Sequence, residues 1–282
     1  MKAIKFTGLV VLALALSTRL MAQGSQQLTV PLSDPGKPYK LNVDLVTGTI
    51  NVSVYDGKDI IIDAQSGKEH GAKHGNRDRD KDRNKESTVG MRRINGADNL
   101  DIIAREKNNQ VNITTGMPGK NVEVSIKIPQ GANHIKLSSV NGGDITASDI
   151  NGDLEVSNTN GGIKLTNISG SAVANTTNGS VVVVFKSIDA KAAMAFTTLN
   201  GNVDVTFPAS LKANIKARSD NGNVYSDFDM VTERSPAKAT KTAKDGMYRI
   251  TVEDWVNGKI NGGGPEMLMK NMNGNIYIRK AK

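Results

Sequence analysis

Asn160-Gly161-Gly162-Ile163-Lys164-Leu165-Thr166-Asn167-Ile168 is followed by Ser169-Gly170-Ser171-Ala172-Val173-Ala174-Asn175-Thr176-Thr177, and then by Asn178-Gly179. In both nine-residue segments a glycine stands just ahead of two apolar residues separated by one other, Ile163 and Leu165 in the first, Ala172 and Ala174 in the second. Period-two alternation sends each pair to one face of a strand and Lys164 to the other, where its charge meets water. Asn and Gly both tolerate positive φ, so each segment turns a corner before its strand begins.

The same grammar extends from Val140 to Asp229, with segments opening at Asn141, Asn151, Asn160, Ser169, Asn178, Asp189, Asn200, Lys212 and Asn221. The inward pairs are Leu154/Val156, Val181/Val183, Ala192/Met194, Val203/Val205 and Ile215/Ala217, while Glu155, Asp204 and Lys216 fall between them. Asn-Gly is also the strongest short hairpin signal. A ribbon of hairpins, however, would use it only at alternate junctions, whereas here the motif precedes every strand at one offset. The pattern predicts an all-β chain: a single-stranded parallel β-helix, or solenoid, with two segments per coil and about 20 residues per coil. Asn141, Asn160, Asn178, Asn200 and Asn221 are spaced by 19, 18, 22 and 21 residues. They are expected to form a ladder of amides along one edge, with Gly142, Gly161, Gly179, Gly201 and Gly222 making the turns.

Residues 1–22 carry Lys2 and Lys5, an apolar run from Leu9 to Leu16, and a small-residue stretch ending at Ala22. This is the layout of a secretory signal peptide, with cleavage expected after Ala22 and Gly24 as the second choice. Its removal lowers the net charge by three, from +8 to +5. The chain has no Cys, so no disulfide supports an exported fold and no lipid anchor on cysteine follows the leader. No later stretch is apolar enough to span a bilayer as a helix. Residues 23–282 are expected to form one elongated solenoid domain in the periplasm, at the cell surface or in the medium.

Two stretches break the repeat. Gly67 to Arg93 holds nine basic and five acidic residues and almost no apolar ones, which predicts a solvated charged loop. Residues 231–246 are basic and poor in apolar groups, a second expected loop. Before the first, 27–65 reads as opening coils or a cap, with Pro31, Pro35 and Pro38 discouraging edge pairing. After the second, Trp255 is expected over an open end, and 259–264 and 272–279 read as the last coils.

Reactive constellations are poorly provided for. Asp78, Asp80 and Asp82 have the spacing that opens a calcium loop, but Arg83 stands where glycine is needed and Val89 where the closing glutamate belongs. His70 and His74 sit among glycines with no glutamate between them in the zinc-protease pattern. There is no thiol and no serine elbow beside His134, and basic stripes with interleaved aromatics are absent, so thiol, serine-hydrolase and nucleic-acid roles have no support. An alternative is a polysaccharide lyase or hydrolase on a β-helix, using carboxylates such as Asp144, Asp153 or Asp204 with Lys216. Solvated outer faces explain the same residues, so no cofactor, metal or catalytic residue is assigned.

The early Thr47-Gly48-Thr49-Ile50-Asn51-Val52, the serial Asn-Gly segments, and the closing Asn261-Gly262-Gly263-Gly264 and Asn273-Gly274-Asn275-Ile276-Tyr277-Ile278 resemble an exported bacterial family labelled "putative adhesin", akin to autotransporter adhesin heads. The resemblance covers most of the mature chain. It implies a β-helical exported protein and supplies no catalytic residues to carry over; the expected role is a binding or scaffold module, with the partner left open between candidates such as a cell-surface polysaccharide and an envelope protein.

Overall fold

A computed structural model describes residues 26–67, 100–115, 121–234, 238–244, 247–253 and 255–282. The expected signal peptide and nearly all of the charged 67–93 stretch, with its His70, His74 and aspartates, lie outside them. Among the described residues there is no helix, and the chain folds as strands throughout.

The repeating unit is a rung with two arms. β9 (Asn151–Asn160) runs to the corner Gly161-Gly162, and β10 (Ile163–Asn178) leaves it on the second arm. Alternation buries Leu154, Val156, Ile163 and Leu165 and leaves Lys164 exposed and Glu155 half-buried. β10 bends again where Asn167 and Gly170 take φ of 57° and 123°, and its second half becomes the first arm of the next rung. It then pairs in parallel with β9, Ala172 on Leu154 and Asn178 on Asn160. Facing arms enclose one continuous core, which includes the Phe185, Phe196 and Phe207 cluster with the Phe185 and Phe207 rings stacked at 5.4 Å. Ala192 is only half-buried, because the strand begins two residues later; the inward pair is Met194 and Phe196.

In the middle of the stack, chain order is spatial order. β7 (Ala132–Asn141) with β8 (Ile145–Ser148) is followed by β9/β10, then β10 with β11 (Val181–Ile188), then β12 (Met194–Asn200) with β13 (Val203–Phe207), all parallel. Two rungs depart from that order. β2 (Tyr39–Val54), a whole rung bent at Gly48, lies between β7/β8 and the rung of β5 (Gln110–Thr115) and β6 (Val122–Ile128). At the other end β20 (Glu266–Asn273) and β21 (Ile276–Lys280) lie between β12/β13 and the rung of β14 (Ala213–Asn221) and β15 (Val224–Ser226). Asn200, Asn273 and Asn221 are therefore successive partners, as are Val203, Ile276 and Val224. Of 27–65, expected to supply opening coils or a cap, the strands Ile60–Ser66 and Gln26–Val30 cap that end, but β2 is second from it, and 272–279, expected to close the stack, is also second from its end. Every rung offers the same register, so sequence distance does not choose the neighbour.

Antiparallel strands close the ends. β4 (Ile102–Lys107) lies on β5; β3 (Ile60–Ser66) lies on β6 and carries β1 (Gln26–Val30). β19 (Val256–Ile260) lies on β14 and carries β16 (Met230–Arg234), so Lys259 and Ile260 belong to a cap and not to a parallel coil. Among the described residues β17 (Lys238–Lys244) and β18 (Met247–Glu253) pair only with each other. Residues 231–234 and 238–244 of the expected second loop are thus a strand end and half of a hairpin, since main-chain pairing needs no apolar side chains and the sequence offers alternating Thr240 and Thr242. At the first end the Tyr39 hydroxyl donates to the Pro129 carbonyl at 2.6 Å, and burial, with Tyr55 nearby, raises its phenol pKa.

Candidate functional site

Three columns of polar contacts run along the Asn-Gly corner. The outermost is a chain of amides: Nδ2 of Asn160 donates to Oδ1 of Asn141 at 3.0 Å, Asn178 to Asn160 at 2.9 Å, and Asn200 to Asn178 at 2.8 Å. Asn273 then donates to Asn200 at 2.7 Å, and Asn221 to Asn273 at 3.0 Å. Asn221 is thus one rung farther along than its sequence spacing suggests, with Asn273 between.

Behind this chain stands a buried column that the repeat reading did not single out. Ser139, Asn158, Thr176, Thr198, Asn271 and Ser219 each donate a side-chain hydrogen bond, at 2.8–3.0 Å, to the carbonyl of a corner glycine on the neighbouring rung. The signal was present in the sequence: two residues before each ladder Asn, an inward position holds Ser, Thr or Asn where alternation calls for an apolar group. Buried polar groups need partners, and here each donor finds the corner carbonyl, while Oδ1 of Asn158 and of Asn271 is buried without a partner among the described residues. A third column, just past the corner, links Asp144 Oδ1 to the Gly162 N–H (2.7 Å), Asn202 Oδ1 to the Asn275 N–H (2.8 Å) and Asn275 Oδ1 to the Asn223 N–H (3.0 Å).

The glycines fit between these columns because there is no room for a side chain. A β-carbon on Gly161 would collide with the carbonyl oxygen of Gly143, on Gly179 with Gly161, on Gly201 with Gly179, on Gly274 with Gly201, and on Gly222 with Gly274. Gly142 is outside this column. Its corner has one more residue before the first inward side chain, so Gly143 takes the packed position and Gly142 provides the turn with φ 86°.

Next to the amide ladder, on the outer face of the first arms, Val46, Val140, Leu199 and Met272 are 43%, 43%, 43% and 44% exposed. The pairing of their neighbours puts them in one column with Thr159 and Thr177. The face beside it is polar and largely uncharged over Ser138, Ser157, Asn175 and Thr197. On the second arms Asp204 accepts two hydrogen bonds from Arg279, at 2.7 and 2.9 Å, which raise the guanidinium pKa further. Arg279 also lies 5.0 Å from the Tyr277 ring, which stacks on Tyr225 at 5.3 Å.

The carboxylates considered for polysaccharide chemistry are spread over different columns. Asp144 is tied to the Gly162 N–H, Asp153 accepts from Ser171 Oγ at 2.6 Å, and Asp204 is paired with Arg279. Lys216 lies 5.0 Å from the Trp255 ring, so Trp255 covers the flank of the last rung beside β14. No cluster of three or more metal-ligating side chains occurs among the described residues.

This is an all-β protein of solenoid-like fold, built around a glycine corner stitched by amides. Residues 38–261 match the Toastrack DUF4097 family, and the chain belongs to that family. No curated protein matches it. Among solved structures, a "putative cell adhesion protein" from Clostridium sporogenes is 15% identical, with a TM-score of 0.41 over 91% of this chain and 100% of the other. A "putative adhesin" from Bacteroides fragilis is 12% identical, with a TM-score of 0.33 over 92% and 98%.

Proposed function

We propose that the chain is an exported, non-catalytic adhesin or binding module of the bacterial envelope, a rigid solenoid of about twenty residues per coil that presents side chains on its outer faces. The observation that carries this reading is the column of Val46, Val140, Leu199 and Met272, apolar groups held in the open beside the amide ladder. Exposed apolar groups gathered in one strip mark interaction surfaces more often than chance exposure does. Here the strip lies on backbone fixed by three sets of inter-rung bonds, so little order has to be gained on binding. The ligand is an envelope polysaccharide or an envelope protein that lies along several rungs.

The test is sedimentation of residues 23–282 with isolated envelope fragments, untreated, protease-treated or periodate-treated. Binding lost after periodate identifies a polysaccharide, and binding lost after protease identifies a protein. The triple variant V140D/L199D/M272D should bind at least about tenfold more weakly while melting as the parent does. Retained binding by that variant, or release of reducing or unsaturated ends from a polysaccharide panel, would overturn the reading.

A further inference from the structure

The two arms of the stack have four ends in all, and three are closed by antiparallel strands: β4 on β5, β3 and β1 on β6, and β19 and β16 on β14. The fourth is β15, which among the described residues pairs with β21 alone. The Asn223 carbonyl accepts the Ile276 N–H, and the Asp227 N–H donates to the Ile278 carbonyl, so alternate main-chain groups of this edge face β21. In a parallel strand the intervening residues point the other way, which directs the N–H and C=O of Val224 and Ser226 outward. Native folds usually cover or blunt such an edge.

A second observation comes from the side chains. The column Asp204, Tyr277, Tyr225 ends at Tyr225, which is 49% exposed with its ring stacked on Tyr277. The next outward column carries Arg279 and then Asp227, and Asp227 and Asp229 are both exposed. The edge therefore combines main-chain donors and acceptors that have no partner among the described residues, an aromatic ring, and an acidic border in which Asp227 accepts from the Lys280 N–H at 3.4 Å and Asp229 is exposed.

We propose that β15 is a strand-acceptor edge that binds an extended segment of a partner protein by main-chain pairing. The segment alternates apolar and polar residues, sets an aromatic or cationic side chain over Tyr225, and places lysine or arginine beside Asp229. The required pattern already lies on the opposite side of β15, where β21 supplies Ile276, Tyr277, Ile278 and Arg279. A second β15 edge is the wrong occupant, since antiparallel pairing about Tyr225 sets Asp227 opposite Asn223 and Asp229 opposite Asn221 and offers neither aspartate a lysine or arginine. The inference is separate from envelope binding through the first-arm face and holds whether or not that face has a ligand.

The probe is a fluorescent peptide with the sequence of residues 271–280, titrated into the full mature chain and followed by anisotropy. Saturable binding is expected. Ser226→Pro removes an outward N–H, a change that edge strands tolerate, and should weaken binding about tenfold or more with little change in melting. Asp229→Asn, at an exposed carboxylate, should weaken it about threefold and reduce its salt dependence, and provides a second reading if the proline variant is unstable. No binding, or binding indifferent to both substitutions as exchange into the β21 position would be, overturns the proposal. So does a concentration-dependent dimer that Ser226→Pro abolishes, because the edge would then be taken by a second copy.

Discussion

Residues 151–207 and the two ends of the stack are made of the same rung but are assembled differently. In the middle, each rung pairs with the rung that precedes it in the chain, Asn160 with Asn178 and Asn178 with Asn200. At the ends, a segment from far away in sequence slides into second place, Tyr39–Val54 at one end and Glu266–Lys280 at the other. The contrast shows that rung formation and rung order are separate decisions. Local alternation makes a rung, whereas order is set by which complete rung is free to dock on an open edge. Intercalation also ties both segments between two other rungs, which leaves shorter pieces at the ends, all but β15 covered by antiparallel strands.

The sharpest way to break this comparison is deletion of residues 266–282 against deletion of residues 238–253. The first removes Met267, Met269, Ile276 and Ile278, all fully buried, at about 1.5–3 kcal/mol each, a sum comparable with the stability of a whole domain. It should abolish cooperative melting or lower the midpoint by more than about 10 °C. The second removes a hairpin that pairs only with itself and should move the midpoint by no more than a few degrees. Equal effects would mean that the intercalated rung is not a structural centre.

A smaller effect is expected at single corners. Gly179→Ala puts a methyl against the Gly161 carbonyl and should cost about 3 kcal/mol or more, measured by urea unfolding. Gly262→Ala, where φ is 84° and no atom lies within 4 Å of the added carbon, should cost only about 1–2 kcal/mol. Removing one bond of the buried column by Thr176→Val should cost about 1–2 kcal/mol, because the Gly161 carbonyl loses its side-chain donor.

The smallest effect concerns the first end. The Ser33 hydroxyl and N–H and the Asn109 N–H all donate to Glu106, and these bonds, the hydroxyl foremost, hold its carboxyl below the usual glutamate range. A depressed folded-state value means that the stabilisation is present above ~4.3 and is lost as pH falls through the lower folded value. The thermal midpoint should therefore fall on acidification below about pH 4, slightly more in the parent than in Ser33→Ala. An identical acid profile for the two would remove Glu106 from the account of that end.

Much of the rung was legible beforehand. Leu154, Ile163, Val181 and Val203 are buried as alternation requires, and the Asn160–Asn178–Asn200 contacts follow directly from the spacing. The inward Ser139, Thr176 and Thr198 were harder to read, because a hydroxyl at an apolar position makes sense only beside a corner carbonyl on another rung. Strands 230–234 and 238–244 escaped because their sequences carry no apolar alternation and announce themselves only through pairing. Of the outer face, the alternation marks Val140, Leu199 and Met272 as outward residues, but not that they share one column. That required knowing that Met272 docks directly on Leu199's rung.

The amino-acid sequence by itself determined the rung: where it bends and which side chains face inward. These follow from chirality and from period-two alternation, properties of a few consecutive residues, whereas the need for glycine at each packed corner comes from the carbonyl of the neighbouring rung. Only the tertiary structure decided that Glu266–Lys280 lies between Met194–Phe207 and Ala213–Ser226, and that β15 ends its arm without a covering strand among the described residues. The physical reason is degeneracy. Asn221 and Asn273 present the same donor, acceptor and register to Asn200, so no local feature distinguishes them, and the choice is made by the packing of the assembled stack.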